Sequence, residues 1–149
     1  MTGDHCRMIL VIEDCDEDFA TVVEAAHRAA VRNPIRRALS GEEGVRMLRD
    51  NSHNRRPAAA LVLMDLKTQR GNGRDALQLI KADEDLGVLP VVVLSTSTNP
   101  RDLRDCYARG ANAYHCKPVD YPSHLDTLNW IFKYWLKSVL LPVAQPYLR

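Results

Sequence analysis

A long apolar run in the middle of the chain constrains the fold more than any other feature. Residues 58–64 are all apolar, and a carboxylate, Asp65, follows them directly. A run of this length between polar segments predicts a strand that is buried on both faces of a sheet. Residues 8–12 and 91–94 form two further apolar runs that also end in polar residues. Because open α/β sheets bind ligands beyond the carboxyl ends of their strands, we expect a functional site where these runs end.

Strands and helices alternate along the whole chain. The predicted strands are residues 8–12, 35–39, 58–65, 91–94 and 113–116, and the short second one suits an edge of the sheet. Capping signals predict helix starts at Asp16, at Ser40 and at Asn99. A long last helix is predicted over residues 122–140. Five alternations predict an α/β domain with a doubly wound, five-stranded parallel sheet and helices on both faces.

The composition argues against several classes of protein. A length of 149 residues most simply forms one domain, and the net charge of +1 predicts no nucleic-acid or membrane surface. No apolar stretch approaches the roughly 18–20 residues that span a bilayer. The four cysteines are scattered without a CxxC pair, which is typical of a reduced cytoplasm. We therefore expect a soluble cytoplasmic protein.

The polar residues at the predicted strand ends suggest phosphoryl chemistry. Glu13, Asp14 and Asp65 would place three carboxylates together, and like charges this close stay ionised only if a cation compensates them. Oxygen ligands without histidine or thiol favour Mg²⁺ or Mn²⁺. Lys117 and Ser95 lie at two further strand ends and add a point charge and a hydroxyl. These groups would surround a phosphoryl position, with a carboxylate able to act as nucleophile.

The acids after the first strand also look like the start of a calcium loop. Counted from Asp14, such a loop needs glycine at its sixth position and glutamate at its twelfth. Phe19 and Ala25 stand there instead, so we reject this interpretation. We assign Asp16 and Asp18 to the cap and first turn of the following helix, where the helix dipole favours acids.

This set of residues resembles the receiver domains of two-component response regulators. The matching positions are Glu13-Asp14 after the first strand, Asp65 after the third, Ser95 after the fourth and Lys117-Pro118 after the fifth. The separations also match, with 30 residues from Asp65 to Ser95 and 22 from Ser95 to Lys117. Gly73 lies at the family's loop glycine and Tyr114 at its aromatic switch position. The resemblance covers residues 7–138.

The resemblance implies a fold and a set of roles. The fold would be flavodoxin-like, with strand order 2-1-3-4-5. Asp65 would accept a phosphoryl group from a partner histidine kinase, so the chain would be a phosphoacceptor signalling protein rather than an enzyme. The implied ligands of Mg²⁺ or Mn²⁺ are Glu13, Asp14, Asp65 and the backbone carbonyl of Lys67. Lys117 and Ser95 would bind phosphoryl oxygens, and Ser95 and Tyr114 would form the conformational switch.

A narrower resemblance is to the stand-alone receivers that partner bacterial phytochrome histidine kinases. It rests on residues 89–97 and on an aromatic C-terminal segment, residues 134–142. In those proteins the C-terminal extension helps to form a homodimer. We therefore expect a receiver domain over residues 1–140 and an extension over residues 141–149. The expected dimer interface contains Trp130, Tyr134, Trp135 and Leu141, because the apolar residues of the last helix cover most of its circumference.

Three residues depart from the pattern of the family. Lys67 stands where many receivers carry asparagine, Gln69 replaces a common proline, and Thr96 is larger than the usual alanine or glycine. Each lies close in sequence to Asp65 or Ser95. These departures therefore bear on the lifetime of a phosphoryl group.

Two other functions stay open at this point. One is a pseudo-receiver, an interaction module with the same fold and no phosphoryl chemistry. The other is a dehalogenase-type Mg²⁺ phosphatase with an aspartate nucleophile. Enzymes of that class carry an Asp-x-Asp motif after the strand, whereas this chain has Asp65-Leu66-Lys67.

Overall fold

The main sheet has five parallel strands in a computed structural model that describes residues 7–51, 58–69 and 71–142. The strands, β1 to β5 in chain order, are Met8–Ile12, Ile35–Ala38, Ala59–Asp65, Val91–Ser95 and Ala113–Cys116. Their order is β2-β1-β3-β4-β5, and every neighbouring pair is parallel. The predicted flavodoxin-like fold and its strand order 2-1-3-4-5 are confirmed.

The described residues also form five α-helices, which cover both faces of the sheet. The helices are α1 (Asp16–Arg28), α2 (Gly41–Asn51), α3 (Gly73–Ala82), α4 (Pro100–Ala108) and α5 (Tyr121–Lys133). Helices α1 and α5 supply one hydrophobic core, and α2, α3 and α4 supply the other. No described helix is long and apolar enough to cross a membrane.

The central strands are apolar throughout because their alternate residues face the two cores. On β3, Leu61 and Leu63 lie in the core beneath α1 and α5, whereas Val62 and Met64 lie in the core beneath α2, α3 and α4. All four side chains are buried. Strand β2 lies at an edge of the sheet, and only Ala38 among its residues is buried. The length and polarity of each apolar run therefore report its position in the sheet.

Two helix caps form as the sequence predicts. The hydroxyl of Ser40 accepts a hydrogen bond from the Glu43 amide at 3.1 Å, and the Glu43 carboxylate accepts one from the Leu39 amide at 2.6 Å. This arrangement is a capping box in which the Glu43 carboxylate binds the amide of the residue before the N-cap instead of the amide of the N-cap itself. Asn99 caps α4 by accepting a hydrogen bond from the Arg101 amide at 2.9 Å.

The predicted cap of α1 is wrong. Cys15 occupies the N-cap position and makes no side-chain capping bond, while Asp16 is the first helical residue. The carboxylate of Asp16 instead pairs with the guanidinium of Arg37 at 2.8 Å. Arg37 also donates to the Glu13 carbonyl at 2.8 Å. The Asp16 side chain therefore forms an ion pair with a distant residue instead of capping the start of the helix.

A two-residue antiparallel ribbon follows β3, and the sequence patterns did not predict it. Lys67–Thr68 pairs with Gly71–Asn72, and the Gly73 amide then donates to the Leu66 carbonyl at 2.8 Å. A Cβ on Gly73 would lie 3.1 Å from the Asp65 carbonyl oxygen and 3.2 Å from the Met64 sulfur. Glycine at this position therefore lets α3 begin directly against the end of β3.

The last helix is shorter than predicted. Helix α5 ends at Lys133, and a π-helical turn, Tyr134–Ser138, replaces the helix that was expected to reach residue 140. The wider turn places Lys137 so that its ammonium donates to the Ala29 carbonyl at the end of α1, at 2.7 Å. This contact satisfies a carbonyl that α1 leaves unpaired at its end. Residues 143–149 of the predicted extension lie outside the described residues.

Phe132 is the largest fully buried side chain of the core beneath α1 and α5. We expect Phe132→Ala to lower the free energy of unfolding by about 3–5 kcal/mol, because it leaves a cavity that the neighbouring helices cannot close. Urea unfolding would measure the loss. The neighbouring exposed residue offers a control: Lys133→Ala should change the free energy by less than about 0.5 kcal/mol. Equal effects of the two substitutions would contradict this assignment of the core.

Candidate functional site

Three carboxylates meet at the carboxyl edge of the sheet. Glu13 and Asp14 follow β1, and Asp65 ends the neighbouring strand β3. One oxygen from each of these residues lies within 4.8 Å of the others. The parallel pairing of β1 with β3 produces this cluster, because it brings the ends of both strands to the same edge. The sequence-based expectation that the three acids lie together is confirmed.

Lys117, directly after β5, is the cation of the site. Its ammonium donates to Glu13 at 3.0 Å, to Asp18 at 2.8 Å and to Asp65 at 3.4 Å. The side chain is only 8% exposed. Burial disfavours the charge on Lys117, but the hydrogen bond that it donates to Asp18 and the charges of Asp65 and Glu13 outweigh this effect and raise the pKa of the ammonium. Lys117 therefore stays positive and ties β1, β3, α1 and β5 together.

Glu13 is the most strongly perturbed acid of the cluster. The residue is 4% exposed. Burial, together with the nearby charge of Asp65, raises the pKa of its carboxyl from 4.5 to about 7, although Lys117 and the Cys15 amide oppose the shift. Glu13 therefore holds a proton far more readily than an ordinary glutamate does.

The loop after β3 is held against the carboxylates by its backbone. The Gln69 amide donates to Asp14 at 2.6 Å, and the Lys67 amide donates to Asp65 at 3.2 Å. The side chain of Lys67 is exposed. These bonds place the backbone of Lys67, whose carbonyl was expected to ligate a metal, beside the cluster.

The donor set of the cluster suits a hard divalent cation. Glu13, Asp18 and Asp65 pair with one ammonium, and Asp14 lies beside Glu13 and Asp65, so the site has more acids than cations. Its candidate ligands are all oxygens, which favours Mg²⁺ or Mn²⁺ over zinc. Glu13, Asp14 and Asp65 are the side chains that could hold such an ion.

The two predicted switch residues share one neighbour. Ser95 ends β4 and is fully buried, and its hydroxyl accepts a hydrogen bond from the Ser97 amide at 3.2 Å. Tyr114, on β5, is half-buried and donates its hydroxyl to the Ser97 carbonyl at 2.9 Å. Ser97 therefore connects both residues, whose switching role stays a prediction.

Asp18 is the site residue that the sequence analysis missed, since it was assigned to the dipole of α1. It pairs with Lys117 from the first turn of the helix, and its side chain is 31% exposed. A signal was present, because Asp18 follows Asp14 by only four residues and lies in the first turn of the helix that begins directly after the acid pair.

Comparison with known proteins finds relatives along most of the chain, although no family model matches it. The chain is 33% identical over 129 residues to the probable methanogenesis regulatory protein FilR2 of Methanothrix harundinacea, covering 87% of this chain and 83% of FilR2. It is 30% identical over 139 residues to the response regulator Rcp1 of Synechocystis, covering 93% of this chain and 95% of Rcp1.

Solved structures share the fold over the same length. The phosphorylated cyanobacterial phytochrome response regulator RcpA matches with a TM-score of 0.83 and 31% identity, covering 92% of this chain and 99% of RcpA. The Mn²⁺-bound form of Rcp1 matches with a TM-score of 0.83 and 29% identity, again covering 92% and 99% of the two chains.

The raised pKa of Glu13 makes the metal-free protein less stable as the pH rises from 4.5 to about 7. In this window the unfolded chain has lost the Glu13 proton and the folded chain still holds it, so rising pH favours unfolding. The free energy of unfolding of Glu13→Gln, taken relative to that of the wild type, should therefore be about 1–3 kcal/mol higher at about pH 8 than at about pH 5.

Urea unfolding in the presence of a chelator at the two pH values would measure this difference. The matched control is Glu42→Gln, at an exposed acid on α2. Its effect on the free energy of unfolding should be the same at both pH values. If the effect of Glu13→Gln does not grow with pH, the perturbed pKa is not present.

Proposed function

Because the chain belongs to the response regulators and has their receiver fold, we propose that it accepts a phosphoryl group on Asp65 from a partner histidine kinase. The observation that carries this proposal is the contact between Asp65 and the buried ammonium of Lys117, beside two further acids. A nucleophilic carboxylate, a cation for a phosphoryl oxygen and a set of oxygen ligands for a metal are the groups that phosphoryl transfer requires.

In the proposed reaction a carboxylate oxygen of Asp65 attacks the phosphorus atom of a phosphohistidine on the kinase. The new bond joins oxygen to phosphorus, the phosphorus–nitrogen bond breaks, and the histidine leaves with the electron pair. Glu13, Asp14, Asp65 and the Lys67 carbonyl would hold Mg²⁺ or Mn²⁺, which supplies charge neutralisation. Lys117 and Ser95 would bind oxygens of the transferred group. Hydrolysis of the acyl phosphate would reset the protein.

The partner proposed for this chain is a phytochrome-type kinase. RcpA is a phytochrome response regulator, and it shares 31% identity with this chain over nearly its full length. On phosphorylation, Ser95 would move towards the phosphoryl group and Tyr114 would turn further inward. The output surface would be the face formed by α4, β5 and α5.

A homodimer through the last helix is also proposed. Trp130 is 70% exposed, Tyr134 52% and Leu140 99%, and they lie within eleven consecutive residues. Large exposed apolar side chains in such proximity are typical of protein interfaces. Leu141 is half-buried beside them. Trp135 is half-buried against the domain's own core and packs edge-on to Tyr134 at 5.1 Å between ring centroids, so it would support the interface from beneath.

The central prediction concerns Asp65. With Mg²⁺ and a small phosphodonor such as acetyl phosphate, the intact mass of the wild type should increase by one phosphoryl group, and Asp65→Asn should show no increase. Asp126→Asn, at an exposed acid on α5, is the matched control and should behave as the wild type. The reason is that Asp65 belongs to the acid cluster and contacts Lys117, whereas Asp126 is an exposed residue of α5.

Two results would favour the other candidate functions. A wild type that gains no mass in Mg²⁺ would indicate a pseudo-receiver. Steady hydrolysis of general phosphomonoesters that depends on Asp65 would indicate a phosphatase. Either result would overturn the proposed phosphoacceptor role.

For the dimer, sedimentation equilibrium of the wild type should show a dimer that dissociates as concentration falls. Trp130→Ala combined with Tyr134→Ala should weaken association by at least about tenfold, because aromatic side chains at the centre of an interface contribute most of its energy. Val119→Ala, at a fully exposed apolar residue outside the last helix, is the control and should leave association unchanged. A monomeric wild type at every concentration would contradict the proposal.

A further inference from the structure

A cluster of charged residues joins α3 to α4 next to the site. Arg74, in the first turn of α3, forms an ion pair with Asp102 in the first turn of α4. The same guanidinium lies 3.3 Å from Asp105, one turn further along α4. One cation on α3 is therefore shared between two acids on α4, and all three side chains are only partly exposed.

Ser97 links this ion pair to the predicted switch residues. Its hydroxyl donates to the Asp102 carboxylate at 2.5 Å, its amide donates to the Ser95 hydroxyl at 3.2 Å, and its carbonyl accepts from Tyr114 at 2.9 Å. Three polar groups of one residue therefore bond to three different elements. Any movement of Ser95 or Tyr114 must displace Ser97 or break these bonds.

Asp102 is the point at which these contacts converge. The hydrogen bond from Ser97, with the charge and hydrogen bond of Arg74, holds the pKa of the Asp102 carboxyl below its usual range. Asp102 is therefore bonded to the loop after β4 and to α3 at the same time.

We propose that Asp102, with Arg74 and Ser97, forms an electrostatic latch that holds α4 and the loop after β4 against α3 until Asp65 is phosphorylated. The inference rests on the proposed function, since it assigns the latch to the unphosphorylated state. A phosphoryl group on Asp65 draws the Ser95 hydroxyl towards it, which displaces Ser97 because the Ser97 amide is bonded to that hydroxyl. The bond from Ser97 to Asp102 is then lost, and α4 is released from α3.

Breaking the latch should favour the phosphorylated conformation. A contact present in only one of two states biases the equilibrium by its own free energy, and ligand binding responds by the same factor. Residues of this kind change such a coupling by roughly two- to thirtyfold. We expect Arg74→Gln and Asp102→Asn each to tighten binding of beryllium fluoride, a stable phosphoryl mimic, by about three- to tenfold.

A double-mutant cycle tests whether the two residues act through each other. If Arg74 and Asp102 act as one pair, Arg74→Gln combined with Asp102→Asn should tighten binding little more than either substitution alone. The matched control is Arg46→Gln, because Arg46 forms its ion pair with Glu42 within α2. This variant should bind beryllium fluoride as the wild type does. Unchanged binding by Arg74→Gln, or full additivity in the double variant, would overturn the latch.

Hydrogen exchange of the unphosphorylated protein separates this inference from the proposed function. Amides of residues 97–105 should exchange about three- to tenfold faster in Arg74→Gln and in Asp102→Asn than in the wild type, with α1 unchanged as the sign of an intact fold. This measurement needs no phosphodonor. Unchanged exchange would overturn the latch even if Asp65 is phosphorylated. Failure of Asp65 to gain mass, with faster exchange in both variants, would overturn the proposed function and the release by phosphorylation, but not the contact that holds α4 against α3.

Discussion

The buried ammonium of Lys117 is the interaction on which the arrangement of this protein depends. It compensates carboxylates from β1, β3 and α1 in a region with little access to water. An unpaired charge in that position would be strongly unfavourable, and so would the acids without their cation. The ends of β1, β3 and β5 must therefore stay in register, and the parallel sheet provides that register. The remaining negative charge is what makes the site suitable for a divalent cation.

The sheet can support this site because it is packed on both faces. Alternate residues of β1 and β3 enter two separate cores, and each core is closed by its own helices. The polar site then lies beyond the strand ends, where backbone groups of the loops are free to bind carboxylates. Gln69 and Lys67 do so for Asp14 and Asp65. The close approach of Gly73 to Asp65 keeps that loop short and α3 near the site.

Polar contacts lead from the site to α4. The contacts of Ser97 run from the buried end of β4 to the first turn of α4, where Arg74 holds Asp102. The exposed aromatic residues Trp130 and Tyr134 belong to α5 and the following π-helical turn, where a dimer interface is proposed. A receiver of this form would convert a local charge on Asp65 into a rearrangement of helix contacts, since packed helices have few alternative arrangements.

Local patterns in the sequence were enough to predict the five strands, the caps at Ser40 and Asn99, and the meeting of Glu13, Asp14 and Asp65. Those features depend on residue period, turn chemistry and strand ends, which are read from neighbouring residues. The order of the strands came from the resemblance to receiver domains. The pairs Asp18–Lys117, Arg74–Asp102 and Asp16–Arg37, and the π-helical turn anchored by Lys137, depended on the folded chain. Their partners lie 99, 28, 21 and 108 residues apart, and an ion pair between distant residues leaves no periodic trace in the sequence. Charge complementarity across the finished fold decided them.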